Sequence, residues 1–154
     1  MAYGFHGWMT YLCGIMRIMA FDYGTKRIGI AVTDPLQLIA TALTTVHAKD
    51  VMAYVKNYLG NEAVAIFVVG MPKQMDGTDS ESAQHIKGFI RSLRRTFPAV
   101  AIETIDERFT SKIASAAIAQ SGLGKEKRRN KALIDSVAAV LILQSYLEKR
   151  SFQG

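Results

Sequence analysis

Ala20–Asp34 reads AFDYGTKRIGIAVTD. With the residues just before it, this is a strand from Ile18 to Tyr23, a tight turn over Gly24–Thr25–Lys26–Arg27, and a second strand from Ile28 to Thr33. Side chains alternate along a strand, so Ile18, Ala20 and Asp22 share one face and Met19, Phe21 and Tyr23 the other. A carboxylate therefore ends an apolar face beside a glycine and two cations. Glycine suits a turn that needs positive φ or close approach of backbone to a phosphate. Two readings stand on these residues alone: Asp22 as a ligand at the strand's carboxyl end, or Asp22 as an ordinary turn residue.

Outward from the hairpin, Asp34-Pro35 marks a turn, because proline biases the preceding residue away from helix. Thr41–Val46 is β-rich and supplies a third antiparallel strand. Asp50 is placed to cap a short helix with the stripe Val51, Tyr54, Val55, Tyr58 and Leu59, closed by Gly60. Ala63–Val69, AVAIFVV, is a continuous apolar run, as expected of a central strand covered on both faces. Gly70–Thr78 is a loop, and Thr78 with Glu81 fits a capping box. The helix that follows carries Ala83, Ile86, Ile90, Leu93 and Phe97 at steps of three and four. Arg91, Arg94 and Arg95 fall on its solvated faces. Pro98 stops it. Val100–Ile105 is a further strand, parallel to the previous one through the helical crossover. A small-residue helix starts at Thr110 or Ser111 and is broken by Gly122 and Gly124. Asn130 is placed to cap a last helix over 131–149. The order predicts a mixed five-stranded sheet, three antiparallel strands then two parallel ones, with the first strand beside the fourth and helices flanking.

The chain has 154 residues, 49% of them apolar and 21% charged, which describes a globular chain with one real core. Residues 16–150 form the expected domain. Residues 1–15 form an apolar, aromatic extension that matches no targeting template and has no assigned role. Its apolar runs are far short of a membrane span. The single cysteine, Cys13, excludes an intramolecular disulfide and a cysteine metal cluster, which suits a reducing cytoplasm. Net charge is +6, and Lys125–Lys131, KEKRRNK, holds five cations and one acid, a net +4 of that total. A basic balance suits solubility as well as a polyanionic partner. Its concentration in one loop makes Lys127, Arg128 and Arg129 candidates for nucleic-acid contact.

Ligands of open α/β sheets gather at the carboxyl ends of parallel strands, where Asp22 and the pair Asp106/Glu107 stand. Asp135 lies one turn into the last helix, with Ala138, Ala139 and Ile142 at i+3, i+4 and i+7, so it belongs to the apolar face. A carboxylate there needs a cation partner; the alternative is an acid stabilising the helix N-terminus. Carboxylates meeting from distant parts of the chain suit Mg²⁺ or Mn²⁺, because hard cations prefer oxygen. Two such ions about 3.5–4 Å apart activate a water and stabilise the leaving oxygen in phosphodiester hydrolysis. Lys26, Arg27 and Arg108 are placed to hold the phosphate backbone.

The motifs AFDYGTKRIGIAVTD, GMPKQMDGT, DERFTS and IDSVAAVLILQSYL together resemble the YqgF/RuvX family, in the family's order and spacing, from about Met16 to Arg150. The resemblance implies an RNase H-like fold and nuclease activity. Members are described as Holliday-junction resolvases and as nucleases processing the 5′ end of pre-16S rRNA. Position by position, Asp22 resembles the first-strand metal ligand, Glu107 the second carboxylate and Asp135 the third. Asp106 is the weaker choice for the second role, and strand alternation does not decide between it and Glu107.

An endonuclease acting on structured RNA is thus the leading expectation, with branched DNA as the alternative substrate and a monomer or homodimer as the working unit. A strand followed by Asp-Xaa-Gly-Thr also resembles a phosphate loop of two-lobed ATPases, but the chain is too short for two lobes of ordinary size. A nucleic-acid-binding module without catalysis is the third class.

Overall fold

Ile18, Met19, Ala20 and Phe21 are all fully buried, because β1 (Arg17–Tyr23) runs through the middle of a sheet with a core on each face. The computed structural model describes residues 16–71, 81–106 and 131–153. Expectations placed on 1–15, on the 72–80 loop with Thr78, and on 107–130, including Glu107, Arg108, Lys127, Arg128 and Arg129, lie outside these residues.

β1 pairs antiparallel with β2 (Arg27–Thr33), with Asp22 opposite Gly29 and Phe21 opposite Ile30. β2 pairs antiparallel with β3 (Ala40–His47), with a shift of register between Ile30 and Ala31. On its other side β1 pairs in parallel with β4 (Val64–Met71), and β4 with β5 (Ala101–Asp106). The strand order is β3-β2-β1-β4-β5. This is the expected mixed sheet, with the first strand beside the fourth.

Alternation divides the apolar residues between two cores. Met19, Phe21, Ile28, Ile30, Phe67 and Val69 face α1 (Val51–Leu59) and α2 (Glu81–Thr96), and pack on Val55, Ile86, Phe89 and Leu93. Phe21 meets Phe67 and Phe89 edge-on, with ring centroids 5.5 and 5.4 Å apart. Ile18, Ala20, Ala31 and Val68 face α3 (Lys131–Gln153) and pack on Ala139, Ile142 and Leu143. β4 supplies both cores, as its unbroken apolar run predicted. Arg91, Arg94 and Arg95 are exposed, also as expected.

Two details differ from the sequence reading. Asp50 stands at the N-cap position of α1 but makes no side-chain cap bond. A 3₁₀ turn over Ala48–Asp50 precedes the helix and holds Asp50 at φ −102°, ψ −5°, away from the extended backbone that aims a capping oxygen. His47 caps that turn instead, its Nδ1 accepting from the Lys49 amide at 3.3 Å. Gly24 does not adopt positive φ; a Cβ there would lie 2.6 Å from the Arg27 carbonyl oxygen, so the turn needs room rather than handedness.

The β2–β3 connection is tied to both ends of the described chain. Asp34 accepts from the amides of Ile39, Leu38 and Leu36 at 2.7, 2.8 and 3.1 Å. Gln37 holds φ 61°, uncommon for a residue with a Cβ. Its Nε2 donates to the Met16 carbonyl at 2.7 Å, and its Oε1 accepts from Arg150 Nη1 of α3 at 2.7 Å. Among the described residues, no helix is long and apolar enough to cross a membrane.

Candidate metal and nucleic-acid site

Asp22 has the parity of Ile18 and Ala20, so it belongs to the sheet face covered by α3. It is half-buried, one residue before β1 ends. Its cross-strand neighbour is Gly29, and residues directly opposite in an antiparallel pair share a face. That site has no side chain because the helix backbone fills it. A Cβ on Gly29 would fall far inside contact distance of the Asp135 carbonyl and 3.0 Å from the Ser136 nitrogen. The first turns of α3 therefore rest directly on β2, across one glycine from Asp22.

Asp135 is positioned from below by buried Ala138, Ala139 and Ile142, which fix the helix face as the i+3, i+4 and i+7 pattern predicted. Its cation partner is Arg27, two residues from Gly29 on the same face of β2. Arg27 Nε donates to Asp135 Oδ2 at 3.2 Å, with side chains 41% and 25% exposed. The expected phosphate-holding arginine is thus engaged with an expected ligand. Lys26, beside it in the turn, is exposed.

β5 keeps its pleat through Asp106, which pairs with Met71. Ile102 and Met71 pack on the α1/α2 core, whereas Ile105 packs on the α3 core. Asp106 consequently has the parity of the sheet face opposite Asp22.

Of the three expected carboxylates, two come from elements more than a hundred residues apart and meet the same glycine: Asp22 is the register partner of Gly29, and the Asp135 backbone rests on it. Glu107 lies outside the described residues, and among those described no group of three His, Cys, Asp or Glu side chains forms a metal cluster. The donors that Asp22 and Asp135 offer are carboxylate oxygens, which fit a hard divalent cation and not a soft one.

The family described as "RuvX: Holliday junction resolvase" matches residues 16–149. The chain belongs to the RuvX family. It is 47% identical over 136 residues to a Bacteroides thetaiotaomicron protein named "Putative pre-16S rRNA nuclease", covering 88% of this chain and 99% of that one. A Porphyromonas gingivalis protein of the same name is 48% identical over 132 residues, covering 86% and 96%. T. thermophilus RuvC, solved in complex with a Holliday junction substrate, superposes with a TM-score of 0.54 at 14% identity, covering 89% of this chain and 96% of that one. The likeness to RuvC shows the RNase H-like fold of this RuvX-family chain, and phosphodiester hydrolysis is the chemistry for which its family and relatives are named.

Sequence reasoning missed Gly29 as part of this candidate site. The signal was there: a glycine inside a strand, between two isoleucines, marks a place where another backbone comes close.

Proposed function

We propose that this protein is a metal-dependent endonuclease that processes the 5′ end of pre-16S rRNA in the bacterial cytoplasm. The placement of Asp22 opposite Gly29 and of the Asp135 backbone on that same glycine carries the reading, because it puts two carboxylate residues near the carboxyl end of a parallel-paired strand. The names of relatives at 46–48% identity support the RNA substrate.

Asp22 and Asp135 would hold Mg²⁺ or Mn²⁺, with two ions expected, and Glu107 is the proposed third ligand. Asp106 has the parity of the other sheet face, which favours its neighbour. Bound there, the ions supply an activated water and charge stabilisation for the leaving oxygen. The chain's own part is to fix the carboxylates, with Lys26, Arg108 and the Lys127–Arg129 cluster drawing in the phosphate backbone. Arg27 joins them while remaining paired to Asp135.

A second reading keeps the same site and acts on branched DNA, favoured by the family's description and the fold shared with RuvC. Incubation with precursor 16S rRNA and with a four-way junction, each with Mn²⁺ and with EDTA, separates the two. Trimming of the rRNA end by wild type but not by folded Asp22→Asn is the expected result. Symmetric cutting of the junction by a homodimer, without rRNA cleavage, would transfer the assignment to DNA. Cutting that persists in EDTA would remove the metal.

A further inference from the structure

We infer that Gly29 and Arg27 are positioning residues, through which β2 sets the place and rotation of Asp135 relative to Asp22. The inference rests on the two-carboxylate reading above and deepens it. Alternate residues of one strand reach the same turn of α3 in two different ways. Gly29 acts by what it lacks. The Asp135 carbonyl occupies the space of its missing Cβ, so any side chain at 29 must lift the start of α3 from the sheet. Because Asp22 is the register partner of Gly29, that lift is a direct change in the spacing of the two carboxylates. Arg27 acts by direction. Its Nε holds Oδ2 of Asp135 at 3.2 Å, which fixes the rotation of the carboxylate that would hold an ion. Outer partners that orient a ligand in this way typically change metal affinity by 10–100-fold when removed.

The rest of the sheet face makes a passive role for Gly29 hard to sustain. Its neighbours toward the core, Ala20 and Ala31, carry a Cβ and still pack beneath α3. At the register of Asp22, by contrast, the helix descends onto bare backbone.

The test is Mn²⁺ binding to the full chain without nucleic acid, read by loss of the free-ion electron paramagnetic resonance signal. Gly29→Ala, Arg27→Gln, Arg27→Lys, Asp22→Asn and Val55→Ala are compared with wild type, each with its melting temperature. Gly29→Ala and Arg27→Gln are expected to bind at least roughly ten-fold more weakly, with Arg27→Lys recovering most of the loss. Val55→Ala loosens the core on the opposite face of the sheet, away from Asp22 and Asp135, and is expected to melt earlier yet bind Mn²⁺ as wild type does. Should Gly29→Ala not fold, Arg27→Gln and its lysine rescue decide. Unchanged or tighter binding by folded Gly29→Ala and Arg27→Gln, with Asp22→Asn defective, overturns the positioning role alone. A wild type that binds no Mn²⁺, or an Asp22→Asn that binds it equally well, overturns the site itself and this inference with it.

Discussion

Thr33 is fully buried, and its hydroxyl oxygen accepts the Ile18 amide at 2.9 Å across the β1–β2 edge. Thr33→Val keeps the volume and removes the acceptor, leaving a buried N–H without its partner. The expected cost is about 1–3 kcal/mol, read as a lower urea midpoint at unchanged m-value. Asp34 is a different case, a partly exposed carboxylate held below its usual range mainly by the Ile39 amide, then by those of Leu38 and Leu36. A lowered folded pKa means its stabilisation is fully present above the ordinary value of 3.8 and is lost as pH falls through the lower folded value. Asp34→Ala should therefore melt earlier than wild type at pH 7, and the gap should narrow as the pH drops below that range. A gap independent of pH would show the carboxylate's charge to be irrelevant. At this scale the sequence exposes residues whose type conflicts with their pattern, such as Asp22 closing an apolar face and Asp135 on a helix stripe. It does not expose Arg27 as the partner of Asp135, because that pairing spans 108 positions and depends on how α3 crosses the sheet.

α3 is the element that converts folding into a site. Ala138, Ala139, Ile142 and Leu143 are buried against β1, β2 and β4, and the same face carries Asp135 at its start. Ile142→Ala removes three carbons from a fully packed position, with an expected loss of about 2–5 kcal/mol in equilibrium unfolding. A loss below about 1 kcal/mol would mean that this core collapses to fill the space. Periodicity made most elements legible, because it reflects burial on one face or two. β4 was plain from AVAIFVV and α2 from its apolar stripe. Boundaries were less legible where local geometry competes with pattern: the 3₁₀ turn displaced the cap expected of Asp50, and α3 continues to Gln153 through residues with no apolar period.

For the molecule as a whole, charge decides how a polyanion is met. Replacing Lys127, Arg128 and Arg129 by alanine is expected to weaken nucleic-acid binding across sequences and to flatten its salt dependence, by roughly one unit of slope for each phosphate no longer neutralised. An unchanged slope would make this loop a solvated run of charge. The sheet's connectivity has a separate implication, held in Gln37. One glutamine side chain reaches both the carbonyl of Met16 and the guanidinium of Arg150, so the two ends of the described fold lie side by side. The order of elements is then cyclic in space, and the point at which the polypeptide is cut is arbitrary. A circular permutant that joins residue 150 to residue 16 through a short glycine-serine linker, and opens at the exposed turn between Pro98 and Ala99, should recover the same register and the same two cores.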